Sequence, residues 1–231
     1  MKIEYTKKSI VITFSSPRRV LSSAPYSGGF YKTDTIVNLR TSSGKTDKYS
    51  PNILISDFLK KKNLNTHAVG FLTAAQLEFA QFIYLNEKDI KIFAIVTGGA
   101  SNALNIAEKS PTVYTGEAFP TAGTVNIIII TNARLSSDCY VSTVITATEA
   151  KSAALFDLQV KSVITGNQAT GTGTDAVAIV SGDGMDIQYA GGHTQYGQLL
   201  GEAVYTGVKK ALSRQKVKYV NFNMICGEFD F

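Results

Sequence analysis

Two glycine-framed segments carry residue types able to do chemistry. The first, Ala169-Thr-Gly-Thr-Gly-Thr-Asp175, alternates glycine and threonine, so it exposes backbone amides and hydroxyls with little side-chain bulk. Such a loop can wrap an anion or a developing oxyanion, and Asp175 can act as a general base or orient a partner. The plainer alternative is a tight turn whose glycines only supply positive φ. No Gly-Lys-Ser/Thr follows, so the loop is not a P-loop. In the second, Ala190-Gly-Gly-His193-Thr194, an imidazole precedes a long helical stretch. There it can move protons near neutral pH or simply cap the helix. Glu149, within Thr146-Ala-Thr-Glu-Ala-Lys151, points either into a cleft or into solvent. Asn126 and Asn132 are polar in an apolar strand, so each joins a buried network or meets a ligand. Gly123-Thr124 has the form of an N-terminal-nucleophile cleavage site, and Ser22-Ser23 with Gly28-Gly29 makes another small-residue loop. His67 lacks a glycine frame, and neither cysteine sits in a nucleophile motif.

Composition narrows the chemistry further. With two histidines and two cysteines, a three-histidine zinc site and any cysteine-only cluster are excluded. The work must fall to carboxylates, hydroxyls, amides and one or two imidazoles. At 44% hydrophobic residues over 231 positions, the chain can build a full core without a disulfide or metal staple. The net charge of +5 is scattered. Its one tight run, Lys60-Lys61-Lys62, reads as the last turn of a helix, so no nucleic-acid partner is expected. The amino-terminal MKIEYTKKSIVITF has no signal-peptide core, and no apolar run approaches a membrane span. The expectation is a cytoplasmic protein without a membrane partner, its cysteines reduced; homo-oligomerisation is left open.

The elements that position these residues read as α/β, one domain over 1–231 with a mixed sheet flanked by helices. Strands are expected at 9–14, 20–23 and 35–39, separated by turn residues that include Ser42-Ser43-Gly44. Ser50-Pro51 starts a helix. Short strands at 68–72, 90–96, 125–130, 176–180 and 187–189 alternate with helices at 74–85, 101–109, 136–158 and 195–214. The tail, 216–231, holds at most one strand. Residues 71–103 overlay 144–176 without gaps, with Thr73, Ala74, Ala80, Leu85, Lys88, Thr97, Gly98 and Ala103 identical to their counterparts. An internal pseudo-repeat would make Ser101-Asn102 equivalent to Thr174-Asp175.

Seven segments in order make the chain recognisable. They are Val20-Leu-Ser-Ser-Ala24 with Gly28-Gly29, Val69-Gly-Phe-Leu-Thr-Ala-Ala75, Val96-Thr-Gly-Gly-Ala-Ser-Asn-Ala103, Gly123-Thr-Val-Asn-Ile-Ile128, Thr146-Ala-Thr-Glu-Ala-Lys151, Ala169-Thr-Gly-Thr-Gly-Thr-Asp-Ala176 and Gly191-Gly-His-Thr194. Together, over about 15–213, they resemble the adenosylcobinamide amidohydrolase family. The chain departs from that pattern at Ser27, where the family has asparagine, and at Phe71-Leu72, where it tends to Leu-Met.

The resemblance implies hydrolysis of the amide between a corrin propionyl arm and aminopropanol, giving adenosylcobyric acid in corrinoid salvage. The substrate is a corrinoid small molecule. No cofactor or protein-bound metal is implied, because the cobalt enters with the substrate. On this reading His193 and Asp175 share the proton transfers, with Glu149 in reserve, and water attacks directly. A nucleophilic Thr174 or Thr124 stays open. Gly28, Gly29, Ser101, Asn102, Asn126, Asn132, Gly171, Thr172, Gly173 and Thr174 are the expected substrate contacts, in a cleft at the carboxyl ends of strands where the glycine loops meet. The rival readings are a corrinoid carrier without hydrolysis and a nucleotide- or phosphate-binding enzyme.

Overall fold

The computed structural model describes residues 1–41, 50–109, 123–217 and 221–229, so the turn expected at 42–44 lies outside the described residues. The chain opens with strands β1 (Lys2–Tyr5), β2 (Ser9–Ser22) and β3 (Gly29–Arg40), helix α1 (Pro51–Lys61) and strand β4 (Val69–Thr73). A 3-10 turn, Leu77–Phe79, leads to the hairpin β5 (Gln81–Glu87) and β6 (Ile90–Gly99), then to β7 (Ala103–Leu104). The second half holds β8 (Thr124–Thr131), β9 (Arg134–Leu135), α2 (Ser137–Asp157), β10 (Gly171–Thr172), β11 (Ala176–Val180), β12 (Asp186–Ile187), α3 (Gln195–Leu212) and α4 (Phe222–Glu228). Among the described residues no helix is long and apolar enough to cross a membrane.

The fold is α/β, with one mixed sheet in the order β4-β3-β2-β11-β8-β6-β5 and β1 paired to β2. β8 with β11 and β3 with β4 run parallel; the other ladders of this sheet are antiparallel. β8 is buried along its whole length, as its β-branched run requires of a central strand. Its Val125, Ile127 and Ile129 face a core roofed by α2 and α3, while Ile128 and Ile130 face a second core with Ile10, Ile12 and Ile36. α1 covers a smaller cluster on the outer face of β2 and β3, through Ile55 and Leu59 against Val11 and Val37.

The sheet is strongly curled. The β2–β3 register shifts between Thr13 and Arg18, a bulge that bends the strand. Strands far apart in the sheet order then meet across the second core. Asn38 of β3 donates to Thr97 of β6 (3.0 Å), and Asn126 of β8 donates to Asn38 (3.2 Å) and to the Leu72 carbonyl of β4 (2.9 Å). Thr124 closes the network with a 3.3 Å bond to Asn126. A buried amide is tolerable only when so satisfied, and these bonds pin the curl.

Several expected elements hold. α2 starts at its Ser136 cap, which accepts from the Cys139 amide; α3 starts at the Thr194 cap; Lys60 and Lys61 end α1. Others are corrected. Residues 74–85 form the 3-10 turn and β5, because Phe82 and Tyr84 pack in one core while Ile83 and Leu85 pack in the other. That alternation is a strand pattern, stabilised by pairing with β6. Residues 101–109 are β7 and turns. The tail carries α4, where Phe222, Ile225 and Phe229, at helical spacing, enter the second core; residues 218–220 and 230–231, where a tail strand could fall, lie outside the described residues. The pseudo-repeat is not structural, since β4, the hairpin β5–β6 and β7 fill 71–103 where 144–176 begins with the last part of α2, to Asp157, and continues as turns and the short β10. Its two glycine loops do meet, as Gly171 pairs with Leu104 and Thr172 with Ala103.

α3 packs hard on β6. A Cβ on Gly207 would lie 2.7 Å from Val96 Cγ2, and Val96 is a stiff, fully buried residue. Helix propensity favours alanine by about 1 kcal/mol, while overpacking costs about 1–3 kcal/mol. The clash wins: Gly207→Ala is expected to lower the unfolding free energy by about 1 kcal/mol, read from the urea midpoint at constant slope. A stabilised variant would contradict this packing.

Candidate active site

Four of the seven recognisable segments converge on one cleft of about 290 Å³. Its walls are Leu21, Ser22 and Ser23 at the end of β2, Val125 and Ile127 of β8, and Asp175, Ala176 and Val177 at the start of β11. α2 supplies Val144, Ala147, Thr148 and Lys151, whose spacing of three and four puts them on one helical face. The cleft therefore lies at the amino ends of the parallel pair β8 and β11. The expected position beyond the carboxyl ends of strands follows a rule of open parallel sheets, and this sheet is curled and mixed.

The polar centre of the cleft is an ion pair between Lys151 Nζ and Asp175 Oδ2, with side chains 11% and 15% exposed. Asp175 also accepts from the backbone amides of Val125 (2.9 Å) and Thr172 (3.0 Å) and from the Thr172 hydroxyl. The glycine-threonine loop does wrap an anion, and that anion is its own aspartate. Four donors occupy the lone-pair directions of the carboxylate, which leaves no free edge for a substrate proton and makes Asp175 the holder of Lys151. Gly171 lies directly beneath the pair: a Cβ there would stand 2.8 Å from both Asp175 Oδ2 and Lys151 Nζ.

The other expected residues are placed as follows. His193 is exposed, makes no hydrogen bond or ion pair among the described residues, and does not line the cleft. Glu149 is also exposed on α2, turned away from the lining face. The structure thus brings Asp175 into the cleft and leaves both proton-transfer partners outside its walls. Thr174 and Thr124 spend their hydroxyls on the carbonyls of Gly123 (3.0 Å) and Thr174 (2.7 Å). Thr172 and Gly171 lie against Asp175 without lining the cleft, and Gly173 does not line it either. Asn126 belongs to the buried network described above. Asn132 lies at the opposite end of β8 and fastens the β5–β6 turn, accepting from Lys91 N–H and donating to the Asp89 carbonyl, both at 2.8 Å. Asn102 is buried against Gly123, where a Cβ would meet Asn102 Oδ1 at 2.1 Å. Gly28 and Gly29 turn the chain from β2 into β3, and Gly29 takes φ +87°. Ser27 there has φ +53°, a left-handed conformation that asparagine adopts more readily than serine, so the chain keeps the turn at the departure from the family pattern.

Ser101 lines a second cleft of about 360 Å³ with Gly98, Gly99, Gln76 and Arg214. The Arg214 guanidinium there donates to Gln76 Oε1 (2.7 Å) and lies 4.8 Å over the Phe79 ring.

Three groups near the first turns of α2 are held in their neutral forms. Burial pushes the Cys139 thiol up, against weaker hydrogen bonds from Thr143 and Ser142. Burial likewise raises Tyr140, opposed by Arg19, and Tyr196 far above the ordinary tyrosine range. None is an activated nucleophile. The residues that sequence reasoning passed over are Lys151 and Ser23. Lys151 sits three positions after Thr148, so helical spacing alone carried the signal; its selection as the buried cation depends on Asp175, which is remote in sequence.

Comparison with known proteins places these segments in context. The model of a family described as adenosylcobinamide amidohydrolase (CbiZ) matches residues 1–219, wider at both ends than the recognisable segments. A Methanosarcina mazei protein named adenosylcobinamide amidohydrolase is 34% identical over 173 residues, 71% of this chain and 75% of its own. An uncharacterized protein of Methanocaldococcus jannaschii is 32% identical over 236 residues, 91% of this chain and 88% of its own. A solved structure of a Pyrococcus horikoshii protein covers 90% of this chain and 77% of its own at 13% identity and a TM-score of 0.39, a likeness too low to support an assignment.

If Asp175 is the knot of the cleft, removing it strands the donors of Val125, Thr172 and Lys151. Asp175→Ala should lower the unfolding free energy by about 2–4 kcal/mol, with Asp175→Asn costing visibly less. His193→Ala should leave the denaturation midpoint unchanged. Equal midpoints for Asp175→Ala and wild type in urea titrations would refute the role.

Proposed function

The chain belongs to the adenosylcobinamide amidohydrolase family, and from that membership we propose that it hydrolyses adenosylcobinamide to adenosylcobyric acid and aminopropanol, returning salvaged corrinoid to synthesis. Water adds across the amide: the C–N bond breaks, the acyl carbon leaves as carboxylate and the nitrogen as protonated amine. No resident cofactor is invoked, because the cobalt is part of the substrate.

The observation that carries this reading is the largely buried Lys151 ammonium, fixed by Asp175 in the wall of a mainly apolar cleft. An amide carbonyl that reaches it gains a charge-assisted donor where negative charge grows in the tetrahedral transition state. Asp175 holds the ammonium in place, so its geometry costs no reorganisation when the charge develops. Ser23 is the second polar group: its Oγ accepts from the Val177 amide at 3.0 Å and keeps its own proton to donate. Direct attack by water is favoured over an acyl-enzyme because the Thr124 and Thr174 hydroxyls are committed to carbonyls. An arm that fills the cleft displaces water from its mainly apolar walls, which strengthens each of these interactions.

Incubation with adenosylcobinamide, followed by mass spectrometry, should show free aminopropanol and a corrinoid carrying a new carboxylate. Lys151→Met should cut kcat by about 100-fold, the scale of losing one oxyanion donor, with Lys151→Arg recovering part of the loss. His193→Ala and Glu149→Gln are expected near wild-type rates. Substrate recovered bound but intact would favour the carrier reading instead, and full activity in Lys151→Met would remove the lysine from the mechanism.

A further inference from the structure

The cleft is too small for its substrate. Pockets that enclose a drug-sized ligand hold roughly 300–1,000 Å³, and an adenosylated corrin exceeds that class. A cleft of about 290 Å³ admits one amide-bearing arm, so the macrocycle must rest outside, on whatever surrounds the mouth.

That surround is apolar where an ordinary surface would be polar. Val141 and Ile145 are 53% and 54% exposed on α2. They stand one turn apart, beside Val144 and Thr148 of the cleft wall. A helix packed on a sheet normally turns charged residues to solvent; α2 instead keeps large aliphatic side chains there. Across the mouth, Phe30 of β3 is 54% exposed. It pairs in register with Leu21, which lines the cleft, so both side chains leave the same face of the sheet. Phe30 is steadied edge-on against the buried Tyr140 ring, centroids 5.4 Å apart. Two secondary elements thus extend the cleft's apolar lining outward on both sides.

We propose that Phe30, Val141 and Ile145 form the seat for the corrin macrocycle, holding the flat ring over the mouth while its propionyl-aminopropanol arm reaches Lys151. This inference rests on the corrinoid reading above and adds where ring recognition resides. The ring's apolar face covers the three side chains, and its amide-fringed edge stays in water. Discrimination among corrinoids is made at the rim, and the cleft sees only the arm.

The test is a direct titration of the whole protein with adenosylcobinamide, with aminopropanol release followed separately. A Phe30→Ser/Val141→Ser/Ile145→Ser variant should bind adenosylcobinamide at least about 10-fold more weakly, the scale expected for losing three exposed apolar contacts. The loss should fall on Kd and KM more than on kcat, with a melting temperature like that of wild type. Single variants Phe30→Ala and Ile145→Ala, each weakening Kd about threefold, serve if the triple variant does not fold. Unchanged Kd in the variants overturns the proposal. So does a wild-type dimer that the substitutions dissociate without altering Kd, since the patch would then join two copies of the chain. If wild type binds the corrinoid but releases no aminopropanol, hydrolysis falls while the same Kd shift still decides the seat. If wild type binds no corrinoid, both readings fall.

Discussion

The Asp175 carboxylate ties together three segments that fold apart from one another. Val125 approaches it from the first turn of the central strand, Thr172 from the glycine-threonine loop, and Lys151 from the middle of α2. Each donor alone is worth only about 1–3 kcal/mol, yet they are mutually dependent, because losing the acceptor strands all of them. These three segments form most of the cleft wall, with the end of β2 completing it, so the position of its cation is set by one side chain. The absence of a Cβ at Gly171 is what lets the pair settle so close to the backbone.

The second constraint is the curl. A central strand that runs Val-Asn-Ile-Ile-Ile-Ile has strong reasons to be buried but few to choose its register. Asn126 supplies one. Its amide finds partners only when β3 and β4 fold back across the second core, to Asn38 and to the Leu72 carbonyl. A slip by one residue would turn that amide into the aliphatic core beneath the helices. The bulge in β2 gives the sheet the bend it needs, and the same long strand then carries Leu21 to Ser23 into the cleft wall.

Legibility in the sequence followed how local each determinant was. α2 and α3 could be read because their caps and stripes are local, and β8, β11 and β6 because their apolar runs are unambiguous. Residues 74–85 misled because Phe-Ile-Tyr-Leu suits either state, and a partner strand decided between them. The tail was missed although Phe222, Ile225 and Phe229 carry a helical period; their burial depends on a core assembled from distant strands. At the site, the Gly-Thr loop reads equally as an anion cradle or as a tight turn, and nothing local shows that its donors are taken up by its own Asp175. Lys151 looked like an ordinary helix lysine until Asp175 arrived beside it from 24 positions away.

The Tyr140 ring has an optical consequence. The chain contains eleven tyrosines and no tryptophan, so its intrinsic emission is tyrosine emission alone, with no indole to collect the excitation. Tyr140 is fully buried, its hydroxyl bonded to the Arg19 carbonyl at 2.9 Å and its ring edge against Phe30. A strongly absorbing macrocycle lying on Phe30 would sit within energy-transfer range of that ring. Tyrosine emission is therefore the protein's own unlabelled signal, and a bound macrocycle absorbing in that range would lower it.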